Sequence, residues 1–276
     1  MQPRHLAALL ALLAGAAHAQ TTEQEEDDAV GQSINYVFAT DLGSGVYDLD
    51  GRSLQIYRYT YEKELRETRA DQLGVRFMLP VTVGFFDFSP LDVVSEGPPT
   101  RIDSFSVVPG FEVDKELPSG WHVIPYVRAG ASLASSSVNG ILYGAGVKFE
   151  NLYDEKDWTV LQRAELAYSG VIYKSDTPND QFFRIRQAFD FTRGTGVRLR
   201  SHELELGFYS IIDFIGDPPS APLADAGQEP FQVEIGVTFS SRPRFKIWRF
   251  DAPRLGFGYR MAGDLSAWRI VIGTPF

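Results

Sequence analysis

From Ile34 onward the chain is a succession of long stretches in which apolar and polar residues alternate. Phe231, Val233, Ile235, Val237 and Phe239 alternate with Gln232, Glu234, Gly236, Thr238 and Ser240, and Ile141, Tyr143, Ala145, Val147 and Phe149 with Leu142, Gly144, Gly146, Lys148 and Glu150. Leu73 to Phe85 repeats the pattern against Gly74 to Phe86. Phe183, Ile185, Phe189 and Phe191 repeat it against Arg184, Arg186, Ala188 and Asp190. Side chains of a strand point to opposite faces in turn, so each stretch is a ribbon with one apolar and one polar face. A helix would scatter the charges into the apolar stripe, so the period excludes it.

Twelve such runs are legible: 33–40, 51–65, 70–87, 102–114, 120–133, 139–150, 157–173, 181–193, 198–214, 229–240, 244–261 and 265–276. Most exceed the roughly 9–11 residues a tilted strand needs to cross a bilayer, and all exceed the roughly 5–6 residues of an ordinary strand. Long connections (Phe88–Arg101 and Ile215–Gln228) alternate with short ones (Arg66-Glu67-Thr68-Arg69, Glu116 to Ser119, Thr195-Gly196, Ser241-Arg242-Pro243). An even strand count with long loops at one end and tight turns at the other predicts an all-β fold: a transmembrane antiparallel up-and-down β-barrel of about 12 strands, both ends in the periplasm. The pattern is weakest in the first gap, which reads equally as strand. It also falters in run 244–261, where Asp251-Ala252-Pro253 is read as a bulge or bend because proline cannot donate to the ladder.

In the last run Trp268, Ile270, Ile272, Thr274 and Phe276 share one face, expected to meet lipid, and Ala267, Arg269, Val271, Gly273 and Pro275 the other. This closing strand resembles the C-terminal assembly signal of Gram-negative outer-membrane barrels. Trp121, Trp158, Trp248 and Trp268 lie towards run ends, where interfacial aromatic girdles are expected. At the other terminus, Arg4 and His5, the apolar Leu6 to Ala16 and Ala17-His18-Ala19 form a secretory signal over residues 1–19. Its apolar run is too short to span a membrane, and no later segment is long enough either. Residues 20–32 open with the acidic QTTEQEEDD, read as a disordered periplasmic tail, and residues 33–276 are assigned to the barrel.

Composition narrows the chemistry. There is no cysteine, which removes disulfides, a thiolate nucleophile, a cysteine zinc site and a lipid-anchored N-terminus. A net charge of −10 argues against nucleic acid as a partner. After the signal only His122 and His202 are left for acid–base work. Ser201 and His202 point to opposite faces and cannot pair directly, so a hydrolase would need a dyad assembled across strands. Phosphate loops, dinucleotide fingerprints and paired histidine ligands are absent, and no cofactor is expected. The lumen face carries the charge: Arg76, Arg128, Arg163, Arg184, Arg186 and Arg269 with Glu112, Glu165, Asp190, Glu203, Glu205 and Glu234. Mixed signs in a narrow barrel favour salt bridges that fill the interior over a water-filled, solute-selective pore.

The segments INYVFATDLGSGVYDLDGRSLQIYRY (34–59), VRFMLPVTVGFFDF (75–88), SFSVVPGFEVD (104–114) and ILYGAGVKF (141–149) resemble the solitary outer-membrane autotransporter-like β-barrel family of proteobacteria. The resemblance implies a translocator-type barrel of twelve strands, and with only residues 20–32 ahead of the first run, no passenger is expected. It implies no catalytic residues. The expected function is a non-enzymatic structural or interaction protein of the outer membrane. A narrow small-solute channel is the alternative, and an outer-membrane hydrolase or a soluble periplasmic β-protein stand further off. Expected partners are outer-membrane lipids and lipopolysaccharide, and the barrel assembly machinery acting on the C-terminal strand. The chain is expected to be a monomer.

Overall fold

The computed structural model describes residues 43–49, 52–86, 104–134, 140–174, 179–217, 230–247, 250–251, 254–263 and 265–276. The signal, the acidic segment 20–32, the first run 33–40 and most of both long loops lie outside the described residues.

Within the described residues the alternating runs are strands, with run 244–261 the exception. The elements are β1 (Gly45–Leu49), β2 (Arg52–Arg66), β3 (Gly74–Phe86), β4 (Ser104–Val107), β5 (Gly110–Glu116), β6 (Trp121–Ala134), β7 (Gly140–Glu155), β8 (Trp158–Tyr173), β9 (Asp180–Leu199), β10 (His202–Gly216), β11 (Phe231–Arg242), β12 (Lys246–Ile247), β13 (Phe250–Asp251), β14 (Leu255–Ala262) and β15 (Leu265–Ile272). All except β12 and β13 belong to one antiparallel sheet, each strand paired on both sides. The ladder returns on itself because β15 pairs with β1, Gly45 opposite Arg269 and Asp48 opposite Ser266. β4 and β5 are halves of one strand, since both pair with β3 on one side and β6 on the other. They part at Pro109, which has no N–H to give. The ladder bridges that point through Val108 N donating to Pro80 O (3.1 Å) and Ala129 N to Pro109 O (3.0 Å). The result is a closed barrel of twelve strands. Closure joins the two ends of the sheet, which would otherwise be open edges.

The two faces divide as the pleat requires. Outward residues such as Val127, Ile141, Ile185, Phe208, Ile235, Phe257 and Trp268 are exposed and form an apolar belt. Inward ones such as Glu112, Glu165, Arg186, Asp213, Glu234 and Arg260 are buried. Tight turns at residues 67–73, 117–120, 156–157 and 200–201 gather at one end.

One expectation is sharpened and two are corrected. Run 33–40 lies outside the described residues; within them β15 closes on Gly45–Leu49, in the first gap, which the alternation also allowed as strand. Glycine at positions 43, 45 and 51 and aspartate at 48 and 50 give GSGVYDLDG the look of a turn, but closure supplies β1 with hydrogen-bonding partners on both sides. The β9–β10 turn is not Thr195-Gly196. β9 continues to Leu199 and reverses at Arg200-Ser201, with Arg200 at φ 59°. Gly196 takes φ 73°, and a register shift between Glu203 and Glu205 absorbs the extra residues as a bulge. Run 244–261 is not one strand with a bend. β12 and β13 pair only with each other, and the barrel wall resumes at Leu255. Trp248 lies outside the described residues. Of the other tryptophans, Trp268 faces outward and is exposed, while Trp121 and Trp158 are half-buried at strand starts.

Candidate functional site

The barrel wall brings its inward charges into hydrogen-bonded contact across strands that are distant in sequence. On one side Glu112 (β5) takes the Lys148 ammonium of β7 and the Arg76 guanidinium of β3 (3.2 Å). Lys148 also stands over the Tyr126 ring at 5.2 Å, and the Tyr126 hydroxyl donates to Glu165 (2.7 Å). Glu165 in turn receives Arg184 Nη2 (3.0 Å). Arg128 donates to Ser169 Oγ (3.0 Å).

On the other side Arg186 grips Asp213 with Nε and Nη2 (2.7 and 2.8 Å), the planar two-point geometry that makes arginine–carboxylate pairs strong. Arg260 lies 3.5 Å from Asp213 and donates to Glu234 (3.0 Å) and Gln232 (3.0 Å). Glu234 also receives Arg269 (2.9 Å) and the Tyr209 hydroxyl (2.8 Å). Arg254, just ahead of β14, crosses to Asp190 on β9 (2.6 Å) and Thr238 (2.6 Å). Glycines make the room. A side chain at Gly207 would run into Arg254 Nη2 and Thr238 Oγ1, and one at Gly258 into the Tyr209 hydroxyl. Burying charge is tolerable only with such pairing, because in low dielectric an unpaired ion is far costlier than a matched one.

Glu203 and Glu205 sit apart from this centre, at the tight-turn end. Glu203 accepts from Gly196 N (3.3 Å), and Glu205 from Ser240 Oγ (2.8 Å) and Arg242 (3.0 Å). They line an open recess of about 460 Å³ with Asp157, Thr159, Thr192 and Arg193. Arg163 pairs with Glu150 (2.7 Å). Of the charges expected on the lumen face, Glu112, Glu165, Arg184, Arg186, Asp190, Glu234 and Arg269 are buried, and the set falls into separate groups rather than a single ladder.

The charged participants Lys148, Glu150, Asp213, Arg254 and Arg260 were missed. Parity alone could have found Lys148 and Asp213, since Tyr209, Ile211 and Asp213 alternate with Phe208, Ile212 and Phe214. Arg254 and Arg260 could not be phased, because the break before Leu255 hid the register.

The C-terminal expectation is corrected at its last residue. Trp268, Ile270 and Ile272 face outward and Thr274 is exposed, but Phe276 does not join them. β15 ends at Ile272 and Gly273 adopts φ 93°, which interrupts the period of two. Gly273 N donates to Arg254 O (2.8 Å) and Arg269 Nη2 to Pro275 O (2.7 Å), turning the tail inward. Phe276 packs against Ala188, Tyr209, Ile211 and Val271, with the Arg163 guanidinium 5.1 Å from its ring centre.

The histidines hold turns. His122 Nδ1 pairs with Asp114 (2.9 Å), which also accepts from Thr68 Oγ1 (2.8 Å). His202 Nδ1 donates to Pro243 O (2.8 Å), and its ring lies 4.4 Å from Phe245. Among the described residues no serine or threonine hydroxyl hydrogen-bonds either ring.

No family model matches the chain, and no curated protein matches it. Among solved structures, the β domain of the Bordetella autotransporter BrkA is similar at TM-score 0.53 and 9% identity, over 82% of this chain and 93% of that one. The fold is an autotransporter-like β-barrel. The transport unit of the autotransporter AIDA-I from Escherichia coli aligns over 99% of this chain and 100% of its own at TM-score 0.38 and 9% identity. At 9% identity the likeness to the BrkA β domain is one of architecture, and the lumen chemistry above is read from this chain's own residues.

Proposed function

We propose that the protein is an integral outer-membrane barrel of the autotransporter-like type, exported by residues 1–19, whose interior is held shut by its own charged side chains. Its role is structural or interactive rather than enzymatic. The observation that carries this is the pairing of faces on a closed ladder: an apolar belt outside, where a soluble protein would show polar residues, and matched ions inside. Fractionation should place the chain in the outer membrane with heat-modifiable migration on gels. Purified protein in planar bilayers should show no unitary conductance steps. Recovery in the soluble periplasm would overturn the membrane reading, and regular steps would overturn the closed lumen. The alternative, a narrow solute channel, draws support from the open recess beside Glu203 and Glu205, which would serve as its vestibule.

β15 is proposed as the strand that the barrel assembly machinery engages, with lipid and lipopolysaccharide as the surroundings of the folded belt. Deleting Phe276 is expected to lower the amount of heat-modifiable barrel in the outer membrane. It removes both the terminal aromatic and the packing beneath Tyr209. Unchanged membrane levels, by immunoblot of fractions, would speak against both roles.

A further inference from the structure

The apolar belt carries a polar cluster on β8–β10; Gln55, in the outward row of β2, by contrast accepts from the Tyr57 hydroxyl. The outward row of β9 runs Phe183, Ile185, Gln187, Phe189, Phe191, with the glutamine at its centre. On β8 the row includes Gln162, Ala164 and Leu166, and on β10 it includes Phe208, Ser210, Ile212 and Phe214. Register sets Gln162 and Ser210 on either side of Phe189, and Gln187 between Ala164 and Ile212. Gln187 is thus the diagonal neighbour of both other polar residues, close enough for long side chains to meet. The central outward positions Val81 on β3, Val127 on β6, Ile235 on β11 and Phe257 on β14 are apolar.

Both glutamines are half-buried on the barrel surface. The Gln162 side chain has no hydrogen-bond partner among the described residues, and Gln187 Nε2 reaches Ala188 O at 3.5 Å, the limit of a contact. A serine hydroxyl can return its proton to its own strand. A primary amide brings two donors and a two-lone-pair acceptor that hydrocarbon cannot satisfy. Polar groups at membrane depth that keep no internal partner point to an external one.

We propose that this wall is a dimerisation face, occupied by a second copy of the chain about a two-fold axis close to Gln187. The inference rests on the outer-membrane reading above and replaces the expectation of a monomer. Self-complementarity selects the occupant. The cluster carries no charge, so it does not call for an ionic partner. An amide is donor and acceptor at once, so the same patch turned through a two-fold presents each glutamine with its match. Ala164 beside Gln187 is small enough to let the second wall approach, and Phe189 and Phe191, stacked at 6.2 Å and 17°, offer a flat rim.

The absence of cysteine makes the test clean. Full-length Gln187→Cys in outer-membrane vesicles under mild oxidation should run mostly as a disulfide-linked pair at twice the monomer mass. Tyr59→Cys, exposed on β2 across the barrel, should not. Gln162→Leu/Gln187→Leu should shift the detergent-solubilised protein from dimer to monomer in light scattering while keeping heat-modifiable migration. A Gln187→Cys chain that is folded by that criterion yet stays single, or joins a different protein, overturns the dimer. So does a double-leucine variant that still dimerises. Loss of the chain to the soluble fraction overturns the membrane reading on which the proposal stands, and is told apart by fractionation alone.

Discussion

Replacing Glu234 with alanine is expected to destabilise the folded barrel by about 3–5 kcal/mol, the range for removing one partner from a buried ion pair. Glu234 is 1% exposed and accepts from Arg260, Arg269 and Tyr209 at once. Without it Arg260 keeps Gln232 and a 3.5 Å approach to Asp213, and Arg269 keeps Pro275 O. Neither set restores two buried positive charges to balance. Loss of Arg269's anchor also frees the inward turn of the tail, so Phe276 packing should weaken with it. Denaturant unfolding of lipid-reconstituted protein, followed by heat-modifiable migration, measures the effect. Glu234→Gln, which keeps acceptor and shape but not charge, should fall between the two. A loss below about 1 kcal/mol for alanine, the scale of a single ordinary hydrogen bond, would mean the lumen is hydrated enough to screen these pairs.

The neighbouring residue gives the opposite face its test. Ile235→Arg is expected to cost about 2–4 kcal/mol in a bilayer, the range for a cation at the lipid midplane of a barrel. Ile235 is 53% exposed and lies at the centre of the outward row Phe231, Val233, Ile235, Val237, Phe239. At Phe239, towards the end of that row, the same change should cost about 0–1 kcal/mol, because an interfacial cation reaches water. The contrast is diagnostic. In a soluble β-protein an arginine at an exposed site would be nearly neutral, so equal effects at both positions would count against the membrane reading.

Particular residues show why some of this was legible and some was not. Val75, Phe77, Leu79, Val81, Val83 and Phe85 face outward as their spacing requires, because a side chain's face depends only on parity within its own strand. Arg186 and Glu234 could be placed inside for the same reason. That Arg186 meets Asp213 while Glu234 meets Arg260 and Arg269 depends on stagger between strands, which parity does not contain. The polar gap at Gln187 was visible as a missing member of the row Phe183, Ile185, Phe189, Phe191. Its companionship with Gln162 needed the β8–β9 register.

The amino-acid order by itself determined the strand class, the twelve walls and the sign of each face, since these follow from a two-residue period and from turn residues acting over a few positions. The tertiary structure alone decided where the ring closes, which ions pair and where Phe276 goes. Those outcomes turn on long-range register and on one glycine at positive φ. Gly45–Leu49 is strand because β15 and β2 both supply hydrogen-bonding partners, and Phe276 lies inside because Gly273 turns the chain toward Tyr209.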